Sequence, residues 1–174
     1  MSKPQEDVNT AVFRETKQTY SLQSFKKGQQ ALVHLIDQAT TTISVYSHSL
    51  CPSILNIQSV ADACEQFCLK NHRTHINMLV QETRSISQIS HRLLSLAHKH
   101  ISSVSFKKLN TDIALRADDY ICIDRSAYWQ LPNAQSYESI CSFADARRTA
   151  IFLAHFNDAW ERSSPDLELR ELVL

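Results

Sequence analysis

Glycine is almost missing from this chain: Gly28 is its single example in 174 residues. A glycine-rich phosphate loop needs several residues of permissive backbone, so that class of nucleotide-binding motif is excluded. A surplus of one charge is also missing, since 18 Lys+Arg balance 18 Asp+Glu. Nucleic-acid binders usually carry a basic excess, so nucleic acid is not an expected partner. No stretch approaches the ~20 continuous apolar residues of a membrane span. Neither end carries a lipidation motif, and MSKPQEDVNT has no apolar leader core. The five cysteines, Cys51, Cys64, Cys68, Cys122 and Cys141, are odd in number. The expectation is a cytoplasmic protein with reduced thiols.

What is present is ordinary for a globular domain, with 43% hydrophobic and 21% charged residues. Residues 1–20 are polar and without period, and are expected to form a tail or a loosely docked arm. Residues 21–174 are then one domain. Ser24 caps an expected helix to about Thr40, with Ala31, Leu32, Leu35 and Ile36 at helical spacing. Thr41–Ser47 alternates as a strand. A helix from Ser59 to about Asn71, a strand at His75–Val80, a helix from Ser85 or Ser87 to His100 and a strand at Val104–Lys107 follow. Next comes the stretch around which the others are organised, Ala117–Trp129 (ADDYICIDRSAYW). Its β-branched and aromatic centre predicts a strand over Asp119–Ile123, with Tyr128–Leu131 pairing beside it. A last helix spans about Phe143–Arg162, with Ala146, Ala150, Leu153, Ala154, Phe156, Asn157 and Trp160 as its expected core face. Alternating helix and strand predicts an α/β sandwich: a mostly parallel central sheet with helices on both faces. Ligands of such sheets bind beyond the carboxyl ends of strands. Those ends would carry Ser47-His48, Gln81-Glu82 and Asp124-Arg125.

Several stretches in this order resemble half of the phospholipase D superfamily, over about residues 24–162. ISVYSHSL looks like its first strand, and NHRTHINMLVQE resembles its basic–strand–acidic segment. ADDYICID lies where that family places its catalytic strand, of pattern H-x-K-x4-D, and Phe156 and Trp160 resemble its closing F-x3-W. The resemblance implies a phosphodiesterase fold whose catalysis uses a histidine nucleophile and a lysine at the phosphoryl oxygens. With Asp124 set on the motif aspartate, Ala117 stands at the histidine position and Asp119 at the lysine position. Alanine cannot attack phosphorus. A carboxylate at about 4 Å from a phosphodiester costs about 4 kcal/mol in a partly shielded site. None of the eight histidines is followed two residues later by lysine, and the downstream G-S-x-N is missing. A closer resemblance is to a bacterial family of such degenerate half-domains, some of them fused to an acetyltransferase domain. It rests on HRLLSLAHKHISSVSFK, DDYICIDRSAYW, FNDAWERS and PDLELREL.

The candidate ligand-binding residues are His91, Arg92, Asp124, Arg125 and Trp129, expected to serve a small anionic or polar ligand. Asp124 and Arg125 would grip it at a strand end, and Arg92 would pair with a carboxylate. Trp129 would wall the pocket with a polar handle. His91 titrates in the range needed for proton transfer. Each has a plainer reading: a solvated turn for Asp124-Arg125, core packing for Trp129, and for His91 a hydrogen bond that locks its helix. Cys64, Cys68 and His72 share a helix face, but that run covers about 12 Å of axis, too long for one ion. No metal or cofactor is expected. A non-catalytic binding or regulatory module leads, with a homodimer or another protein as partner. The alternatives are a phosphodiester hydrolase whose nucleophile has moved to His48 or His91, and a structural domain that pairs with a separate protein. Arg147 is expected to reach the acids of the central strand or to face solvent. Arg170 is expected to dock the C-terminal tail on an acidic patch, with the apolar Leu167, Leu169, Leu172 and Val173 covering a sheet edge or a neighbouring subunit.

Overall fold

In chain order, a 3-10 turn (Val8–Thr10) leads to β1 (Thr19–Leu22), α1 (Phe25–Gln38), β2 (Thr42–Ser47), α2 (Pro52–Leu55), α3 (Gln58–Lys70), β3 (His75–Val80) and α4 (Arg84–Gln88). Then come α5 (Arg92–Lys99), β4 (Val104–Lys108), β5 (Asp119–Ile123), β6 (Ala127–Leu131), β7 (Ser139–Ser142) and α6 (Ala146–Glu161). This computed structural model describes residues 7–167 and 169. Of the apolar tail residues, Leu169 is buried in the core and Leu167 is exposed, whereas Arg170, Leu172 and Val173 lie outside the described residues.

The strands form one seven-stranded sheet in the order β1-β7-β6-β5-β2-β3-β4. Helices cover both faces, which bears out the α/β layering. The expectation of a mostly parallel sheet is corrected. Only β2–β3 and β3–β4 run parallel, whereas β1–β7, β7–β6, β6–β5 and β5–β2 are antiparallel. Helix connections after β2 and β3 allow parallel neighbours, but β5, β6 and β7 follow one another through short loops that can only return antiparallel.

Period-two alternation sorts the strand residues between two cores. Ile43, Val45, Ile76, Met78, Ile121, Ile123 and Trp129 join the core under α1, α3 and α5. Tyr46, Leu79, Tyr120, Cys122 and Tyr128 face α6 instead, with Phe152 and Phe156. Ser24 starts α1 by accepting a hydrogen bond from the Lys27 N–H at 3.2 Å. Asp145 does the same for α6 with the Arg148 N–H at 2.9 Å. The buried face of α6 is Thr149, Phe152, Phe156 and Ala159, with Leu153 and Trp160 partly buried beside it, so Phe156, Leu153 and Trp160 fall as expected and the expected alanines do not. Ala146, Ala150, Ala154 and Asn157 are exposed. Thr149 is tolerated inside because its hydroxyl donates to the Asp145 carbonyl at 2.7 Å.

Two boundaries also differ. The single helix expected up to His100 is broken into α4 and α5 at Ser90, whose φ is +50°, and His91 caps the second piece. Within residues 7–20 the docked arm is found and not a free tail: Ala11 and Tyr20 are buried, and residue 20 falls within β1, which pairs Thr19–Leu22 with β7. A four-residue edge strand with alternate exposure carries too short a pattern to stand out from a polar segment. Cys64 and Cys68 are buried on α3, and His72 lies exposed beyond its end.

Candidate functional site

The antiparallel course of β5 decides which groups meet. Since β5 runs against β2, its first residue, not its last, lies beside the carboxyl ends of β2 and β3. Asp124 is therefore at the opposite end of the sheet from Ser47-His48 and Gln81. There its carboxylate staples the start of β2. Oδ2 accepts from the Thr40 N–H at 3.0 Å and the Thr40 hydroxyl at 2.8 Å. Oδ1 accepts from the Thr41 N–H and hydroxyl, both at 2.8 Å, and from the Thr42 N–H at 2.9 Å. Burial pushes its pKa up, but the donors of Thr42, Thr40 and Thr41 outweigh burial and hold it below the ordinary carboxylate value. Asp124 adopts a φ of +51°, which Asp and Asn tolerate better than most residues. With every lone pair engaged, it has no acceptor left for a ligand.

The other expected binding residues are dispersed as well. Arg125 is exposed in the turn after β5. His91 is fully buried. Its Nε2 donates to the Leu50 carbonyl at 2.9 Å, and its Nδ1 accepts from the Leu93 N–H at 3.2 Å. Burial lowers its pKa against the opposing pull of the Leu50 carbonyl. It is a neutral, locking histidine, closed to a substrate. Arg92 lies on the surface of α5, donating to Gln58 Oε1 at 2.7 Å. Trp129 is buried under α1, so it walls no open pocket.

A different constellation gathers at the end of the sheet where β2 and β3 finish and β5 begins. Asp118 and Asp119 point to opposite faces there. Asp119 Oδ2 accepts from the Ser47 hydroxyl at 2.5 Å, and Oδ1 from the His48 N–H at 2.9 Å. Burial raises its pKa, partly offset by these two donors. On the α6 face, Arg116 grips Asp118 with both oxygens engaged, Nε to Oδ1 at 2.7 Å and Nη2 to Oδ2 at 2.8 Å. Gln130 Nε2 also donates to Asp118 Oδ2 at 2.8 Å, and Arg148 Nη2 donates to Gln130 Oε1 at 2.9 Å. Burial acts to raise the Asp118 pKa, but Arg116 and Gln130 overcome it and lower the carboxyl.

His48 is exposed at this end. Gln81 Nε2 donates to the Arg116 carbonyl at 3.3 Å and to the Tyr46 hydroxyl at 3.0 Å, so Gln81 Oε1 faces His48 Nδ1 at 2.9 Å. A carbonyl oxygen accepts, so Nδ1 carries the proton and the Nε2 lone pair is left outward. Below it, Tyr46 stacks on Tyr120 at 5.1 Å, and the Tyr120 hydroxyl meets His155 Nδ1 at 2.7 Å. Ala117, at the motif-histidine position, is exposed. Reasoning from the residues alone missed Arg116, Gln130 and Arg148 as a unit. The period of two already separates Asp118 from Asp119, but their partners come from distant segments.

Such a sheet, with α1 to α5 over one face and α6 over the other, has the phospholipase D-like α/β fold. Solved structures agree. NucT from Helicobacter pylori superposes with a TM-score of 0.63 at 10% identity, over 86% of this chain and 98% of that one. Nuc from Salmonella typhimurium, a phospholipase D family member, gives 0.56 at 14% identity over 86% of this chain and 96% of its own. TrmBL2, an archaeal chromatin protein with a novel mode of DNA binding, gives 0.60 at 14% identity over 90% of this chain, which spans 56% of TrmBL2. At these identities the likeness establishes the fold. Residues 24–172 match the model of a domain of unknown function, DUF7931, and the chain belongs to that family. Comparison of the sequence with curated proteins gives no match. Among the described residues no helix is long and apolar enough to cross a membrane.

Proposed function

We propose that this chain is a non-catalytic binding or regulatory module of phospholipase D-like fold, a degenerate half-domain. The observation that carries the reading is Asp119. At the position where the resembled motif has its lysine, a buried carboxylate is engaged by Ser47 and the His48 N–H. That arrangement presents negative charge where a phosphodiester would need a cation, and the neighbouring motif-histidine position is Ala117. The nearby Arg116 pairs with Asp118, on the sheet face opposite Asp119. The DNA binding of TrmBL2 is not carried over, because this chain has no basic excess. As partner we propose a second copy of the chain. The basis is the resemblance to one half of a superfamily whose members pair two such halves, and exposed Leu115 is an apolar residue available to such a contact. Sedimentation at micromolar concentration tests the dimer, and a monomer there removes it.

The reading is tested by incubating the protein with bis(p-nitrophenyl) phosphate. No release above buffer is expected. The hydrolase alternative keeps one observation in its favour, the outward Nε2 of His48 held by Gln81. Turnover abolished by His48→Ala would establish it in place of the present reading. His91, closed on both nitrogens, is no longer a nucleophile candidate.

A further inference from the structure

Between β6 and the first turns of α6 lies a cleft of about 420 Å3, lined by Arg116, Gln130, Asp145, Arg147, Arg148, Ile151 and Phe152. Two of its guanidinium groups are fixed by one continuous chain of hydrogen bonds, Arg116 to Asp118, Gln130 to Asp118, and Arg148 to Gln130. Both also sit over the same aromatic floor. Arg116 Cζ is 5.8 Å and Arg148 Cζ 5.9 Å from the Phe152 ring centre. Tyr120 lies beneath Arg116 at 5.3 Å, and Tyr128 beneath Arg148 at 5.1 Å. This scaffolding removes much of the rotamer freedom that a surface arginine would lose on binding an anion.

Neither group is saturated. Arg116 uses Nε and Nη2, Arg148 uses Nη2, and their remaining N–H donors are not engaged among the described residues. Arg147 has no ion pair among the described residues. Against these three cations stand two carboxylates, Asp145 at the cleft and Asp118 behind Arg116, so one positive charge is left over. Exposed Ile151 and the Phe152 ring give the cleft an apolar side next to its donors.

We propose that this cleft binds a monoanionic small molecule, a carboxylate with an apolar body: the carboxylate is held by Arg148 and Arg147 beside Arg116, and the body lies along Ile151 and Phe152. A guanidinium fork matches a carboxylate through two parallel N–H···O bonds. The single unbalanced charge suits one carboxylate better than a dianionic phosphate. The inference rests on the binding-module reading, and gives that module a ligand class and a location away from Asp124 and Arg125.

The test is calorimetric titration of the full chain with benzoate and hexanoate, and in parallel with dimethyl phosphate and inorganic phosphate. Benzoate binding is expected, weakened at least tenfold in both Arg147→Gln and Arg148→Gln. Arg147→Gln is expected to leave the melting temperature unchanged, since Arg147 has no ion pair to lose, which separates loss of a ligand contact from loss of fold. No carboxylate binding, binding indifferent to Arg147→Gln, or tighter binding of either phosphate would overturn the proposal. Hydrolysis of bis(p-nitrophenyl) phosphate by the same sample would instead overturn the non-catalytic reading, and benzoate titration would still decide the cleft.

Discussion

Asp119 and Ser47 face each other across the β5–β2 pair, hydroxyl to carboxylate at 2.5 Å, on the sheet face opposite Asp118. The contact makes Asp119 part of the architecture at this end of the sheet. Restoring the resembled motif with Ala117→His and Asp119→Lys is therefore expected to fail. The histidine at an exposed position is harmless. The lysine would bury an ammonium against two donors, the Ser47 hydroxyl and the His48 N–H, at a cost of about 3 kcal/mol. Urea denaturation of the double variant and a phosphodiesterase assay check both parts. A stable and active double variant would contradict the account.

Asp124 is expected to matter for stability and not for ligand binding. Asp124→Ala leaves five donors of Thr40, Thr41 and Thr42 without their acceptor and puts alanine at positive φ. The expected loss is about 3 kcal/mol, with Asp124→Asn losing less because asparagine accepts that backbone and keeps one oxygen. The wild-type carboxyl is held below its ordinary value, so its stabilisation is present above about pH 4 and is lost as pH falls through the lowered folded value. Acid unfolding curves of wild type and Asp124→Asn should converge there.

His91 predicts a second pH dependence of the same sign. Folding lowers its pKa, so the neutral form stabilises the protein above about pH 6.5, and that contribution is lost as pH falls through the folded value. His91→Asn keeps a helix-capping side chain but gives up the Leu50 contact, at an expected cost of about 2 kcal/mol near neutrality. It should also flatten the stability profile below about pH 6.5. A profile unchanged by the substitution would show that another group produces the slope.

Gly28 offers a test of packing. Alanine normally improves a helix interior by about 1 kcal/mol over glycine. Here a Cβ on Gly28 would lie 2.8 Å from the Ser139 hydroxyl oxygen and 3.4 Å from Ile54 Cδ1. Gly28→Ala is expected to destabilise by about 1 kcal/mol despite the helix gain. Among the described residues Ser139 Oγ is buried without a hydrogen-bond partner. Gly28→Ala combined with Ser139→Ala removes the collision and the unsatisfied group together, and should be more stable than wild type in chemical denaturation.

Much of the scaffold was legible because periodicity speaks about which face is buried. Ile43, Val45 and Tyr46 identify β2, and Ser24 with its apolar stripe identifies α1. Periodicity says nothing about direction, so the reversal of β5 was invisible, and with it the true neighbours of Asp124. The stretch Ala117–Trp129 is expected to hold a central strand, and β5 is indeed the fourth of seven in the sheet, but the site forms at its first residues and not at Asp124-Arg125. Partnerships such as Asp119 with Ser47 or Arg148 with Gln130 join segments that local sequence cannot relate. His91 was legible in its plainer form, as a hydrogen-bonded histidine at a helix start. Thr149 shows the opposite failure: a hydroxyl in the core stripe of α6 hid that face behind a more apolar-looking row of alanines.

The placement of β1 carries a consequence for how the chain comes to be made. Thr19–Leu22 are made before the other six strands of the sheet but pair only with β7, the last of them in chain order. During synthesis this segment has no docking edge and must wait as an unpaired ribbon with Tyr20 and Leu22 uncovered. Closure of the sheet is then a late, long-range event, of the kind that slows folding and leaves nascent chains in need of protection.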